Sequence, residues 1–316
     1  MSYFTPLPGS QAAPSFAGST LVLPQPSLAS LAQLSTDLLV HNFSLERVGF
    51  LGLRDHVPAV SGLDGLPGQP LAREGISYSV EVFQNSSKSL TIVLPRSPVI
   101  RARRSNYLAS IREWIDGSAF AEVLVVAGTD AALRGDEGLQ SATPLRYFSL
   151  PPSASSWTRD GDLASSLKSL CPPYPVYSTS SNSGPDTAAV PAIPLFPHGG
   201  LTRKLLETLS SSRQGHEVPV SALTIYTFDT TEPTVAFFLA DALLRLLSKH
   251  LVEAEGEIGS SLPRKIGQLE LSTEGVGEGQ REGEIGSGYD WKVPRSWETG
   301  LLGTGLSREA GTEMFG

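Results

Sequence analysis

Apolar and polar positions along this chain repeat with two different periods, and the switches between them mark the predicted elements. Residues 20–24, Thr-Leu-Val-Leu-Pro, have the pattern of a short buried strand closed by proline. From Ser27 to Val40 the leucines at 28, 31, 34, 38 and 39 recur at helical spacing, with polar Ser30, Gln33 and Asp37 between them. Ser27 is placed to cap that helix. Arg47 to Leu51 reads as a second strand, so strand, helix and strand predict a βαβ unit with parallel pairing. Ile76 to Phe83 alternates apolar with polar, and Asn85 to Lys88 turns the chain into Leu90–Leu94. Those two segments predict an antiparallel hairpin.

A helix follows over 104–115, with Tyr107, Leu108, Ile111, Trp114 and Ile115 on one face and Gly117 as its stop. Residues 123–127 are wholly apolar, as expected of a strand covered on both faces. A helix over 201–209, a strand over 220–228 and a long helix over 233–251 complete the pattern, with Pro233 suited to a first turn. The prediction is one α/β domain, a mixed, mostly parallel sheet flanked by helices, over residues 1–252. Two stretches interrupt it. Residues 151–190 are rich in Ser and Pro and are expected to be a long surface excursion. Residues 253–290 form a Gly/Glu-rich linker; eight Glu against three basic residues in its 253–288 portion leave too little apolar surface to fold.

Behind that linker the chain regains large apolar groups. Trp291 and Trp297 stand in the run Trp-Lys-Val-Pro-Arg-Ser-Trp, so residues 291–316 are expected to be a tail that docks back onto the body through Trp291, Pro294 and Trp297. Met314, Phe315 and Gly316 then present a hydrophobic residue, an aromatic and a carboxylate. That format suits insertion into a partner's pocket.

A formal net charge of −8 disfavours nucleic acid and anionic membranes as partners. The single cysteine, Cys171, rules out an internal disulfide and a multi-cysteine zinc site, and its Ser/Pro surroundings suggest an incidental surface thiol. No signal-peptide pattern opens the chain and no apolar run is long enough to span a bilayer, so the expected compartment is the reducing cytosol, with the nucleus also open to it. The sequons at Asn42 and Asn85 are then chance matches. The five histidines are scattered, and no metal, cofactor or phosphate-binding motif is recognisable. Only the His198-Gly199-Gly200 loop, ahead of Lys204, is enzyme-like, because two glycines entering a helix can expose N–H groups to an anion. No acid or base accompanies it in sequence; a tight loop is the plainer reading. Arg101, Arg103 and Arg104 form a small basic patch, either a solvated face or a salt-bridging interface.

Several blocks, in order, resemble the proteasome assembly chaperones. They are Phe16 to Pro24, Leu31 to Leu39, Arg47 to Phe50, Val57 to Val60, Thr143 to Tyr147, Gly199 to Arg203 and Trp291 to Trp297. The resemblance lies with the member that pairs with proteasome assembly chaperone 1. It implies an α/β fold related to nucleoside phosphorylases but without their catalysis. It also implies a heterodimer with that chaperone, binding to proteasome α subunits, promotion of α-ring formation and prevention of off-pathway ring dimerisation. Members can end in a hydrophobic-Tyr-any motif that enters pockets between α subunits; here Phe315 replaces the Tyr and its hydroxyl is absent. The competing expectations are a phosphorylase-like or glycosidase-like enzyme using the His198 loop, and a scaffold whose tail packs only on itself.

Overall fold

The structure is a computed structural model, and it describes residues 3–9, 13–68, 75–135, 143–150, 162–175, 193–210, 218–228, 233–252 and 289–297. The chain runs through β1 (Phe4–Pro6), β2 (Thr20–Pro24), α1 (Leu31–Asn42), β3 (Glu46–Leu51), β4 (Val60–Gly62) and β5 (Ile76–Tyr78). It continues through β6 (Val80–Gln84), β7 (Leu90–Pro95), α2 (Arg104–Ser118), β8 (Glu122–Asp130), β9 (Leu145–Ser149) and α3 (Asp162–Leu170). Then come α4 (Gly200–Ser210), β10 (Val220–Thr227) and α5 (Pro233–Val252).

Eight strands form one mixed sheet in the order β1-β3-β6-β7-β2-β8-β10-β9, and β4 with β5 forms a separate ribbon. The central pairings β7–β2, β2–β8 and β8–β10 are parallel. The outer pairings β1–β3, β3–β6, β6–β7 and β10–β9 are antiparallel. Following those directions across the sheet, β3, β7, β2, β8 and β10 all run the same way. The mixed α/β fold matches the sequence expectation, but one pairing does not. Strands β2 and β3 are parallel in direction without being neighbours, because the β6–β7 hairpin lies between them. The hairpin closes through a short local turn at little entropic cost, and β7 then takes the edge of β2 that β3 was expected to fill.

Period-2 alternation sorts the apolar side chains of β8 between two cores. Leu124 and Val126 face one side, where α1, α3 and α5 supply Leu38, Leu39, Leu167, Leu243 and Leu247. Val123 and Val125 face the other, against Ile111 and Ile115 of α2 and Leu205 and Leu206 of α4. Both faces are covered, which is why residues 123–127 are apolar without alternation. Among the described residues no helix is long and apolar enough to cross a membrane.

Three further expectations are corrected. Ser27 does not cap α1: its Oγ accepts the Gly128 N–H at 2.8 Å, and the helix begins at Leu31 after a 3-10 turn with Ala29 and Ser30 in left-handed conformations. Helix α2 runs past Gly117 to Ser118 and stops where Ala119 turns left-handed, φ 54°. Within the stretch 151–190, residues 162–175 are not a surface excursion. They form α3 and a segment bridging to Tyr147, with Leu163, Leu167, Cys171 and Tyr174 buried. The apolar spacing of Leu163, Leu167 and Leu170 was hidden by serine-rich composition. Cys171 is therefore a buried thiol, and burial pushes its pKa up to about 12. Residues 151–161, 176–190 and 253–288 lie outside the described residues.

Edge strand β1 rests on a close approach at Gly49, where a Cβ would overlap the Thr5 carbonyl oxygen and the Phe4 ring. Gly49→Ala is expected to cost roughly 1–3 kcal/mol by forcing β1 off the sheet. A lower melting temperature with faster amide exchange at residues 4–6 is the expected reading; unchanged exchange there would refute it.

Candidate functional site

Residues 289–297 lie as a strap across α1 and α5, and each turn of the strap meets a polar group sent up by the body. Trp297 is 3% exposed; it stacks on Phe237 with ring centroids 6.1 Å apart and donates its indole N–H to Asp37 at 3.2 Å. Trp291 donates its own N–H to Asp241 at 2.8 Å and packs with Phe43 and Tyr289. Asn42 clasps Lys292 at both ends of its peptide unit, donating to its carbonyl at 2.8 Å and accepting its N–H at 3.0 Å. Pro294 is buried, Arg295 N–H reaches the Gly65 carbonyl at 3.0 Å, and the Ser296 backbone and hydroxyl both donate to Asp64. An indole buried without a partner for its N–H would forfeit a hydrogen bond, so the two aspartates satisfy both anchors, buried Trp297 and half-buried Trp291.

Asp37 is the hub. Its carboxylate takes His41 Nε2 and the Arg96 guanidinium, each at 3.5 Å, besides Trp297. Arg96 also holds Glu81 at 2.8 Å, and Glu81 in turn pairs with Arg47. Burial pushes the Asp37 carboxyl up, yet the hydrogen bond to His41, the Arg96 charge and the Trp297 N–H outweigh it and hold its pKa below the usual carboxylate value. Asp37, taken from the pattern as a polar-face residue, is therefore buried. Signals for this were present: His41 stands four residues on, and Asp241 is a lone acid in the otherwise apolar stretch 235–244.

Asp37, His41 and Asp64 bring ligand atoms within 4.8 Å of one another. The set does not suit a cation, because Arg96 already lies on the Asp37 oxygen that faces His41 and Ser296 occupies both Asp64 oxygens. Nor is the His198 loop without an acid: Asp130, at the end of β8, reaches His198 Nδ1 at 3.0 Å, while the imidazole is mostly exposed on a residue with φ 57°. Sequence distance concealed that pair. Neighbouring strands β2 and β7 send their helices, α1 and α2, to opposite faces, and open α/β sheets hold ligands at such points. Here the position is filled by Pro24, His56, Pro95 and Tyr107 around a cavity of about 10 Å³, room for no more than a water. Burial raises the Tyr107 hydroxyl to about 12, and its nearest side-chain partner is Gln25 at 3.4 Å. Neither sequon asparagine is free, since Asn42 holds the strap and Asn85 is buried against the Leu90 N–H and the His250 carbonyl. Met314, Phe315 and Gly316 lie outside the described residues.

With this geometry in hand, relatives define the class. The model of the PAC2 family matches residues 21–253, and the chain belongs to that family. Among curated proteins it is similar to proteasome assembly chaperone 2 of Bos taurus, 24% identical over 311 residues, which covers 95% of this chain and 97% of that one. The same protein of Nematostella vectensis is 33% identical over 135 residues, covering 42% of this chain and 54% of that one. That match, like the one to the Danio rerio protein, spans about half the relative's length. Among solved structures, Pyrococcus furiosus PbaA, described as an archaeal homolog of proteasome-assembly chaperone, aligns with TM-score 0.48 and 13% identity. The alignment covers 82% of this chain and 96% of PbaA.

Removing the Trp297 ring should cost roughly 3–5 kcal/mol, because a fully buried aromatic leaves a cavity and an unpaired Asp37 oxygen. Trp297→Ala that melts like the parent would contradict the strap. The acid response follows from Asp37: with its folded pKa lowered, its stabilisation is fully present above about pH 4, the unfolded value, and is lost as pH falls through the lower folded value. Indole fluorescence should therefore report a released strap only in strong acid, and Asp37→Asn should remove that step while lowering stability by roughly 3 kcal/mol. A strap that loosens between pH 5 and 7 would point to a different group.

Proposed function

We propose that this chain is a non-catalytic chaperone of 20S proteasome assembly that pairs with proteasome assembly chaperone 1, binds α subunits, promotes α-ring formation and prevents off-pathway ring dimerisation. It works in the cytoplasm and also in the nucleus. The observation that carries this reading is the family match over residues 21–253 joined to similarity along nearly the full length of the Bos taurus chaperone. The side chains fit it. The polar groups gathered at the ends of β2 and β7 and on α1 enter internal hydrogen bonds and ion pairs, as suits a binding body. We read residues 1–252 as that body, 253–290 as an acidic linker and 291–316 as the tail whose first part is strapped to the body. Met314, Phe315 and Gly316 then serve as the portion offered to α subunits, by hydrophobic insertion and a terminal carboxylate.

One observation favours a second reading. The His198–Asp130 pair orients an exposed imidazole at the carboxyl end of the parallel strands, where a phosphorylase-like or glycosidase-like enzyme would carry a base. Nucleoside phosphorolysis abolished by His198→Ala would establish that reading and displace the first.

Co-expression separates them. Purified from cells, the chain should bring down α subunits and one related chaperone, and expressed alone it should self-associate until that partner is supplied. A monodisperse chain that ignores both would sink the assembly reading. Deleting residues 314–316 should weaken α-subunit binding without changing melting temperature, and Phe315→Tyr should hold or improve affinity, by on the order of 1 kcal/mol if the hydroxyl finds an acceptor. Equal affinity for the intact and shortened chains would remove the tail from the mechanism.

A further inference from the structure

We propose that the corner built from residues 54–60 and 97–104, with the β4–β5 ribbon beside it, is a docking surface for an acidic protein segment that also carries apolar side chains. The two stretches are zipped together: Ile100 N–H donates to the Asp55 carbonyl at 2.8 Å, Val57 N–H to the Pro98 carbonyl at 2.9 Å, and His56 bridges Val99 as an antiparallel pair. That register brings Arg54 alongside the turn holding Arg101, Arg103 and Arg104. Across both stretches four arginines meet a single acid, Asp55, which is buried and takes Arg103 Nε at 2.8 Å. Arg101 and Arg104 are exposed and have no ion-pair partner among the described residues. This corner is basic on a chain whose net charge is −8.

Arg103 serves the fold by pairing with buried Asp55, but Arg101 and Arg104 make no such pair among the described residues. The arginines stand at the start of α2, with no acid in its first turn, and a helix N-terminus repels cations. Carboxylates from a partner would supply the missing counter-charge. The same surface is apolar next door. Val60 is 63% exposed, Ile76 44% and Val57 43%. The pairing of Val60 with Tyr78 and of Gly62 with Ile76 puts Val60 and Ile76 on one face of the ribbon. A two-stranded ribbon with an uncovered apolar face is poorly stable by itself. Nucleic acid would answer the arginines and leave those three side chains in water; an acidic segment with apolar side chains answers both.

This inference rests on the assembly reading for its partner, so the probes are proteasome assembly chaperone 1 and isolated α subunits, titrated against the full chain at several salt concentrations. Arg101→Glu with Arg104→Glu should weaken binding by about tenfold or more, mainly through a slower on-rate with shallower salt dependence. Melting temperature should hold or rise, because glutamates suit the helix start. Val60→Asp, on an exposed position, should weaken binding independently and serves if the arginine variant misfolds. If the parent chain binds neither probe, the assembly reading fails and this surface fails with it. If the parent binds and both variants bind equally well, with unchanged salt dependence, only the docking surface is overturned. Tighter binding of a DNA or RNA oligonucleotide, lost in the arginine variant, would likewise overturn it.

Discussion

A carboxylate buried in the middle of a helix must be paired, and in this protein the pairing of Asp37 ties α1, the sheet and the end of the strap together. Removed from water, an aspartate anion is tolerated only where charge and hydrogen bonds replace its hydration. Here the replacements come from three directions: His41 on the same helix, Arg96 just past the end of β7, and Trp297 on a segment far along the chain. Because Arg96 is shared with Glu81, and Glu81 with Arg47, the same network reaches β3 and β6. The strap is thereby registered against the sheet by directional bonds as well as by apolar contact. Apolar contact alone would let it slide.

The second consequence is a division between the two ends and faces of the molecule. On the α1/α5 side, polar groups are consumed in holding the strap. At the carboxyl ends of β2 and β7, the crevice that many α/β proteins use for ligands is occupied by His56, Tyr107 and prolines. Among the described residues, outward-facing groups different in kind include a basic corner beside an apolar ribbon, and an exposed His198. Surfaces of the first sort suit protein partners better than small molecules, since they are broad, shallow and mixed in chemistry. The proposed role as an assembly chaperone is consistent with that distribution.

Which features could be read in advance depended on how local their causes are. The core strand of β8 and the helices α2 and α5 were legible, because their apolar periodicity is dense and uninterrupted. Helix α3 was not, because serines diluted the signal of Leu163 and Leu167. The position of β3 departs from the expectation because pairing partners are chosen by competition among edges, and the β2 edge is taken by β7 of the β6–β7 hairpin. The candidate site divides the same way. Trp291 and Trp297 advertised themselves as large apolar groups behind a polar stretch. Their acceptors Asp37 and Asp241 left only faint local signals, and the clasp at Asn42 and the acid beside His198 left none, since the partner in each case lies far away in sequence.

By itself, then, the amino-acid order determined the class of fold, the longer helices and central strands, the two-sided burial of those strands and the family resemblance. The first three follow from side-chain periodicity and composition, which act over a few residues; the family resemblance rests instead on specific residue blocks such as 291–297. The tertiary structure decided the strand order, the burial and pairing of Asp37, the seat of the strap, and the meeting of Asp130 with His198 and of Arg54 with Arg101. These arise only when distant segments are brought together: in the interior, charges and donors must find partners because their surroundings do not solvate them, and at the surface the fold decides which groups come to lie side by side.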